Sequence, residues 1–145
     1  MTTYYESDAA IARLSRDFLG CTLPKAEWTH AAHFATTLWL MRNAPGRDLP
    51  HAMPGLIRAY NESVGGVNSD TAGYHETITQ ASLRAARAFM ATRPADEPLH
   101  EAVDALMKSM LGASDWPLAY WSRGRLFAVD ARRAWVEPDL QPLPF

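Results

Sequence analysis

Three histidines and one glutamate have the residue types and the spacing that catalytic and metal-binding sites require. His30 and His33 lie in the segment PKAEWTHAAHFATTLWLM, and His75 and Glu76 open the segment GYHETIT. At 3.6 residues per turn, each histidine falls on the core-facing side of a helix. A neutral imidazole binds metals and accepts protons, and Glu76 either reaches the same cavity or caps its helix. We predict that His30, His33, His75 and Glu76 form one catalytic site.

Two kinds of chemistry fit these residues equally well. In the first, His30, His33 and His75 bind a divalent metal such as zinc, iron or manganese and leave one coordination position open. In the second, a histidine acts as general base without a metal, and Glu76 orients it or acts as the acid. The spacing of Glu27 and His30 also matches the Glu-x-x-His pairs of di-iron proteins, but such a site needs two pairs and this chain has one.

Further polar residues are expected near the histidines. Asn61 ends the third predicted helix and Asn68 lies in the loop before the fourth, so both approach the start of the fourth helix. Thr79 lies on the same helix side as His75. We expect these three residues to bind substrate. One core-facing histidine is more commonly structural, but three in one core, each needing a hydrogen-bond partner, favour a function.

A non-catalytic alternative remains open. The last third of the chain is rich in aromatic residues, namely Trp116, Tyr120, Trp121, Phe127 and Trp135. Large rings bury much apolar area, so they would cover the open end of a bundle and line a pocket. The polar cluster would then orient a ligand without converting it. In both hypotheses the partner is a small molecule.

Helical periodicity accounts for most of the chain. We predict five longer helices at 7–19, 25–43, 52–63, 73–92 and 98–111, and short helices near 121–126 and 130–135. Ser7 and Asp130 are residue types that favour N-caps. No stretch shows the alternation that is typical of a strand. The predicted fold class is therefore all-α, a single-domain helical bundle over residues 1–145.

Composition and charge exclude several classes of function. Against 16 Asp and Glu the chain has 14 Lys and Arg, a net charge of -2, which is not the basic balance of a nucleic-acid binder. The longest apolar stretch is too short to cross a membrane. The first residues lack the basic and apolar regions of a signal peptide. Cys21 is the only cysteine, which excludes an intrachain disulfide and favours a cytoplasmic location.

Four stretches give the sequence a distinctive pattern. They are LPKAEWTHAAHF at 23–34, AYNESVGGVNSDTAGYHETIT at 59–79, YWSRGRLF at 120–127 and WVEPDL at 135–140. With them the chain resembles, along nearly its whole length, a family of small, largely uncharacterised bacterial proteins. The resemblance implies no particular reaction, but its motifs add Trp28 and Tyr74 to the predicted substrate-binding residues. The sequence departs from the family pattern at Ser69, where threonine is more usual.

Overall fold

The computed structural model describes residues 3–145, which form helices joined by turns and loops. The α-helices in this range are α1 Asp8–Leu19, α2 His30–Asn43, α3 Leu49–Ser63, α4 Glu76–Ala91, α5 Leu99–Lys108, α6 Arg123–Leu126 and α7 Val129–Arg133. Short 3-10 helices lie at Lys25–Glu27, Met110–Gly112 and Trp116–Ala119. No β-strand occurs between residues 3 and 145, which confirms the predicted all-α fold. None of the helices in the same range is long and apolar enough to cross a membrane.

Helix α2 begins later than the sequence predicts. The predicted second helix is divided, because Lys25–Glu27 forms a separate 3-10 helix and α2 starts only at His30. The hydroxyl of Thr29 accepts the backbone N–H of Ala32 at 3.1 Å, and this N-cap starts a new helix. Glu27 and His30 therefore do not share a helix, and the Glu-x-x-His pair of the sequence does not form on one helical face.

The remaining boundaries lie close to the predicted ones. Helix α3 begins earlier, at Leu49, because its first turn accommodates Pro50 where no intrahelical amide donor is needed. Helix α4 begins later, at Glu76, because His75 is its N-cap. In the C-terminal region, Ala128 rather than Asp130 precedes α7. The prediction of Ser7 as the N-cap of α1 is confirmed.

Helix α2 lies at the centre of the core. It packs against α1, α4 and α5, while α3 packs against α4. Most of its side chains are buried, among them Phe34, Leu38 and the two threonines Thr36 and Thr37. Burial on several sides is typical of a core helix rather than an amphipathic surface helix. Residues at the start of α2 are consequently held in a fixed position between neighbouring helices.

Residues 109–145, here called the C-terminal segment, are held together and tied to the bundle by hydrogen bonds from buried side chains. Trp121 is fully buried and donates its indole N–H to the carbonyl of Val136 at 3.0 Å. The hydroxyl of Thr77 in α4 donates to the carbonyl of Ala134 at 2.9 Å. Phe127 differs from the predicted aromatic cover, because it follows the end of α6 and is 51% exposed. The segment thus covers the helices through some of its aromatic residues only.

Tyr60 provides a test of this packing. Its side chain is fully buried and its hydroxyl donates to the carbonyl of Leu23 at 2.9 Å. Tyr60→Phe leaves that carbonyl unpaired, so we expect the free energy of unfolding to fall by about 1–3 kcal/mol in urea denaturation. Tyr4→Phe, at a 40% exposed position, is the control and should change it by less than about 0.5 kcal/mol. Equal stability of the two variants would contradict the buried hydrogen bond.

Candidate functional site

A cavity of about 300 Å³ lies between α2, α3, α4 and the segment 114–117. Its apolar lining consists of Phe34, Met53, Ile57, Ile78, Leu83, Trp116 and Pro117. The polar residues of the lining are His30, His33, Thr37, Thr79, Ser82 and Ser114. A concave, mostly apolar space with a few polar groups is typical of a small-molecule site. This cavity is therefore the candidate functional site.

His33 is fixed on the cavity wall by a backbone carbonyl and an aromatic ring. Its Nδ1 lies 2.7 Å from the carbonyl oxygen of Thr29. Because a carbonyl only accepts hydrogen bonds, Nδ1 carries the proton and Nε2 of the neutral ring carries a lone pair. The ring of Trp28 lies 3.9 Å from the imidazole, centroid to centroid, and itself stacks on Phe18 at 4.3 Å. Only Nε2 of His33 is left for a ligand.

The surroundings of His33 favour its neutral form. Protein packed around the ring removes water from its neighbourhood, which lowers the pKa of His33 below the ordinary value of 6.5. The hydrogen bond to Thr29 opposes this change, and the nearby His30 adds to it. Because His33 is nevertheless exposed to solvent, water limits how far the pKa of its imidazole falls. At neutral pH the imidazole is thus uncharged and able to accept a proton at Nε2.

His30 lies beside His33 on the same wall but is anchored differently. Its Nε2 donates to the carbonyl of Leu111 at 2.7 Å, which places the proton on Nε2 and the lone pair on Nδ1. The ring also makes an edge contact with Phe34, with 5.3 Å between the ring centroids. The two imidazoles therefore each use their N–H for a main-chain carbonyl and each keep one nitrogen as an acceptor.

His75 is not among the residues that line this cavity. Its Nδ1 accepts the backbone N–H of Ile78 at 3.1 Å, and its Nε2 donates to the carbonyl of Leu126 at 2.7 Å. The side chain is buried, and this burial lowers the pKa of His75, in agreement with a neutral ring. Both nitrogens already have partners. His75 is accordingly the N-cap of α4 and a link to the C-terminal segment.

The arrangement gives no support to the predicted metal site of His30, His33 and His75. Within residues 3–145, no group of three or more His, Cys, Asp or Glu side chains is placed to hold a metal ion. The physical reason lies in the hydrogen bonds of His75, since a nitrogen that is bonded within the protein cannot also bind a metal.

Glu76 contacts a tyrosine rather than a histidine. The hydroxyl of Tyr74 donates to the Glu76 carboxylate. Burial of the ring, together with this hydrogen bond, raises the pKa of Tyr74, so the phenol keeps its proton. The guanidinium of Arg58 lies over the Tyr74 ring, 4.3 Å from its centroid. No hydrogen bond within residues 3–145 joins Glu76 to His30 or His33, so its predicted part in their chemistry stays a prediction.

The two predicted asparagines organise the loop between α3 and α4. Asn61 donates its side-chain amide to the Asn68 side-chain oxygen at 3.1 Å, and the same oxygen accepts the backbone N–H of Tyr74 at 3.0 Å. Asn68 and Tyr74 line a second, smaller depression of about 180 Å³ rather than the apolar cavity. Among the predicted substrate-binding residues, Thr79 lines the apolar cavity, whereas Trp28 packs against His33 outside its lining.

Several cavity residues were not predicted as part of a site. Thr37 follows His33 by one turn and donates its hydroxyl to the His33 carbonyl at 2.8 Å. Helical spacing could have identified Thr37 and also Ser82, which follows Ile78 by one turn of α4. Trp116 belongs to the aromatic residues that the binding hypothesis expected to line a pocket, and it does line this cavity. No local signal marks Ser114 or Pro117, because only tertiary packing brings them to α2.

Replacing His75 tests its structural role. His75→Ala removes the N-cap acceptor of α4 and leaves the Leu126 carbonyl without its donor, so we expect a loss of about 2 kcal/mol or more in unfolding free energy. His75→Asn keeps an N-cap acceptor and should lose less. His51→Ala is the control, because that side chain is 86% exposed. A His75→Ala protein as stable as this control would contradict the assignment.

Mild acid should destabilise the folded protein. His33 and His75 both have lowered pKa values in the fold, so below the ordinary value of 6.5 the unfolded chain binds more protons than the folded one. The free energy of unfolding should therefore decrease as the pH falls from about 6.5 to about 5, above the range in which carboxylates titrate. Urea denaturation at several pH values measures this slope. The double variant His33→Gln, His75→Asn should have a flatter slope, and equal slopes would contradict the lowered pKa values.

Comparisons with known proteins do not identify a family. The chain matches no protein-family model, no curated protein and no solved structure. The resemblance carried by the four sequence stretches accordingly stays a prediction. Any functional conclusion has to rest on the geometry of the cavity and its two imidazoles.

Proposed function

We propose that the chain is a small-molecule enzyme in which His33 exchanges a proton with a substrate bound in the apolar cavity. The observation that carries this proposal is the pair of anchored imidazoles on the cavity wall, each with one acceptor nitrogen left. A general base must be unprotonated and held at a fixed position relative to its substrate. The Thr29 carbonyl, the Trp28 ring and the lowered pKa of His33 supply these conditions.

His30 has a supporting part in this proposal. Its lone pair on Nδ1 gives the substrate a second acceptor, so that a donor group has two nitrogens available to it. Protonation of His30 would disfavour a charge on His33, because two like charges in one low-dielectric site repel each other. The proximity of His30 thus helps to keep His33 in the neutral form that a general base requires.

The lining of the cavity limits the class of substrate. About 300 Å³ lies at the lower end of the range for ligand sites, so the substrate is a small molecule. Apolar side chains from three helices and Trp116 require a mostly apolar body. The acceptor nitrogens favour a donor group, an O–H or N–H, at the histidine end. An apolar ring or short chain that bears one acidic O–H or N–H fits these conditions.

A non-catalytic binding protein is the second candidate. It is favoured by one observation: Glu76 is bonded to Tyr74, and no carboxylate within residues 3–145 is hydrogen-bonded to either cavity histidine. Without such a partner, the histidines would serve to orient a ligand through hydrogen bonds alone. The two candidates differ in whether a proton moves from the ligand to the protein.

We also propose a bacterial cytoplasm as the setting of this protein. The bacterial origin follows from the sequence resemblance. The cytoplasmic location follows from the single cysteine, Cys21, which is present as a free thiol.

The paired probes 4-nitrophenol and nitrobenzene test the proposal. They share an apolar ring, but only the phenol has a proton to give, and its phenolate absorbs in the visible. At a pH where free 4-nitrophenol is neutral, we expect it to bind more tightly than nitrobenzene by about tenfold, because its O–H donates a hydrogen bond to Nε2 of the neutral His33 ring. His33→Gln should remove this preference.

Controls separate the cavity from other imidazoles and from metals. His51→Gln alters an exposed histidine and should leave the binding of both probes unchanged. If this preference is present but no His33-dependent release of 4-nitrophenolate from 4-nitrophenyl acetate is seen, the non-catalytic candidate is favoured. Equal binding of the two probes would contradict the role of His33 in both candidates. Loss of binding after treatment with EDTA, with metal found by elemental analysis, would instead indicate a metal-dependent site.

A further inference from the structure

A second depression, of about 180 Å³, lies apart from the apolar cavity, at the loop that precedes α4. Its lining is largely polar and includes Asn68, Ser69, Tyr74 and three arginines, namely Arg58, Arg132 and Arg133. The only acidic side chain in this lining is Asp70. Three guanidinium groups around one small space are unusual in a chain whose net charge is -2. The depression therefore concentrates positive charge.

The three arginines differ in how their charge is compensated. Arg133 pairs with Asp70, with 2.7 Å between Nε and a carboxylate oxygen. Arg58 and Arg132 form no ion pair with any carboxylate in residues 3–145. Neither guanidinium is thus paired directly with a carboxylate, and the nearby Glu76 carboxylate is bound to the hydroxyl of Tyr74 instead. Arg is also the side chain whose planar fork best matches the oxygens of phosphate and carboxylate groups.

Both unpaired guanidinium groups already make a contact that orients them. Arg58 lies over the ring of Tyr74, 4.3 Å from its centroid, and makes no side-chain hydrogen bond within residues 3–145 that would occupy its N–H groups. Arg132 is anchored through one nitrogen, which donates to the carbonyls of Gly73 at 2.9 Å and Tyr74 at 3.2 Å. Its remaining N–H groups are left for a ligand. Prepositioned donors lose less conformational entropy when a ligand binds.

The loop that forms the floor of the depression is also fixed. Asn68 donates its side-chain amide to the carbonyl of Arg58 at 3.1 Å and accepts from Asn61 and Tyr74 through its oxygen. Gly73 has φ +80°, and a Cβ added there would lie 2.4 Å from the carbonyl oxygen of Val67. The close approach of the two loop ends thus needs a glycine. A rigid floor keeps the arginines at a constant separation.

We propose that this depression binds a dianionic phosphoryl group. Two guanidinium groups that have no carboxylate partner can both donate to the oxygens of a phosphate monoester or of inorganic phosphate, which is the most highly charged common anion at neutral pH. A volume of about 180 Å³ accommodates such a group and not a large ligand. This depression shares no lining residue with the apolar cavity. The phosphoryl proposal therefore does not depend on the function proposed for the apolar cavity.

Titration calorimetry with sodium phosphate at constant ionic strength tests this site. We expect saturable binding to one site, with sodium acetate, a monoanion, binding at least about tenfold more weakly. Phenyl phosphate is the third ligand. If it binds as well as inorganic phosphate, the natural ligand carries its phosphoryl group on an organic molecule, and if it binds less well the ligand is free phosphate.

Arginine variants assign the binding to the depression. Arg58→Ala and Arg132→Gln should each weaken phosphate binding by about tenfold or more, because each removes charged donors. Arg84→Ala is the matched control, since Arg84 stacks in the same manner on Trp135, at 4.2 Å, but lies outside this lining. Arg58 is exposed and its loss should not affect folding, which circular dichroism verifies. Absence of saturable phosphate binding, or equal affinity in Arg58→Ala and Arg84→Ala, would overturn the proposal.

Discussion

Thr29 is the residue on which both the central helix and the cavity histidine depend. Its hydroxyl caps α2 by accepting the N–H of Ala32, and its carbonyl accepts both the backbone N–H and the ring N–H of His33. One residue therefore decides where α2 begins and which tautomer His33 adopts. Because α2 also packs against α4, the start of α2 helps to set the distance between the two cavity walls that these helices provide.

The protein uses the same side chain in two different ways. His75 has partners for both ring nitrogens and serves to begin α4, whereas His30 and His33 each have a main-chain partner for one nitrogen only. The number of satisfied nitrogens thus separates a structural imidazole from one that can act on a ligand. The direction of the pKa shift would not separate them, because surrounding protein lowers the pKa of both His33 and His75.

The sequence predicts the helices well and the site in part, for identifiable reasons. Helix α1 begins after Ser7, whose preference for the N-cap is local and strong, and it ends before Gly20, although Cys21 takes the left-handed position (φ +56°). The break before α2 was missed because residues 25–43 are compatible with one continuous helix, and only the Thr29 cap divides them. The part played by His75 was missed because histidine is not among the favoured N-cap residues. The segment 114–117 reaches the cavity through tertiary packing, which periodicity does not describe.

The cavity joins segments that are far apart along the chain. His30 is anchored to Leu111 across 81 positions, and the wall that contains Trp116 comes from the same distant region. Helices form through local contacts, whereas contacts between distant segments form only after the intervening loops have closed. The order of folding events follows from this separation. A nascent or partly folded chain would therefore lack one wall of the cavity and the anchor of His30 until the C-terminal third had docked.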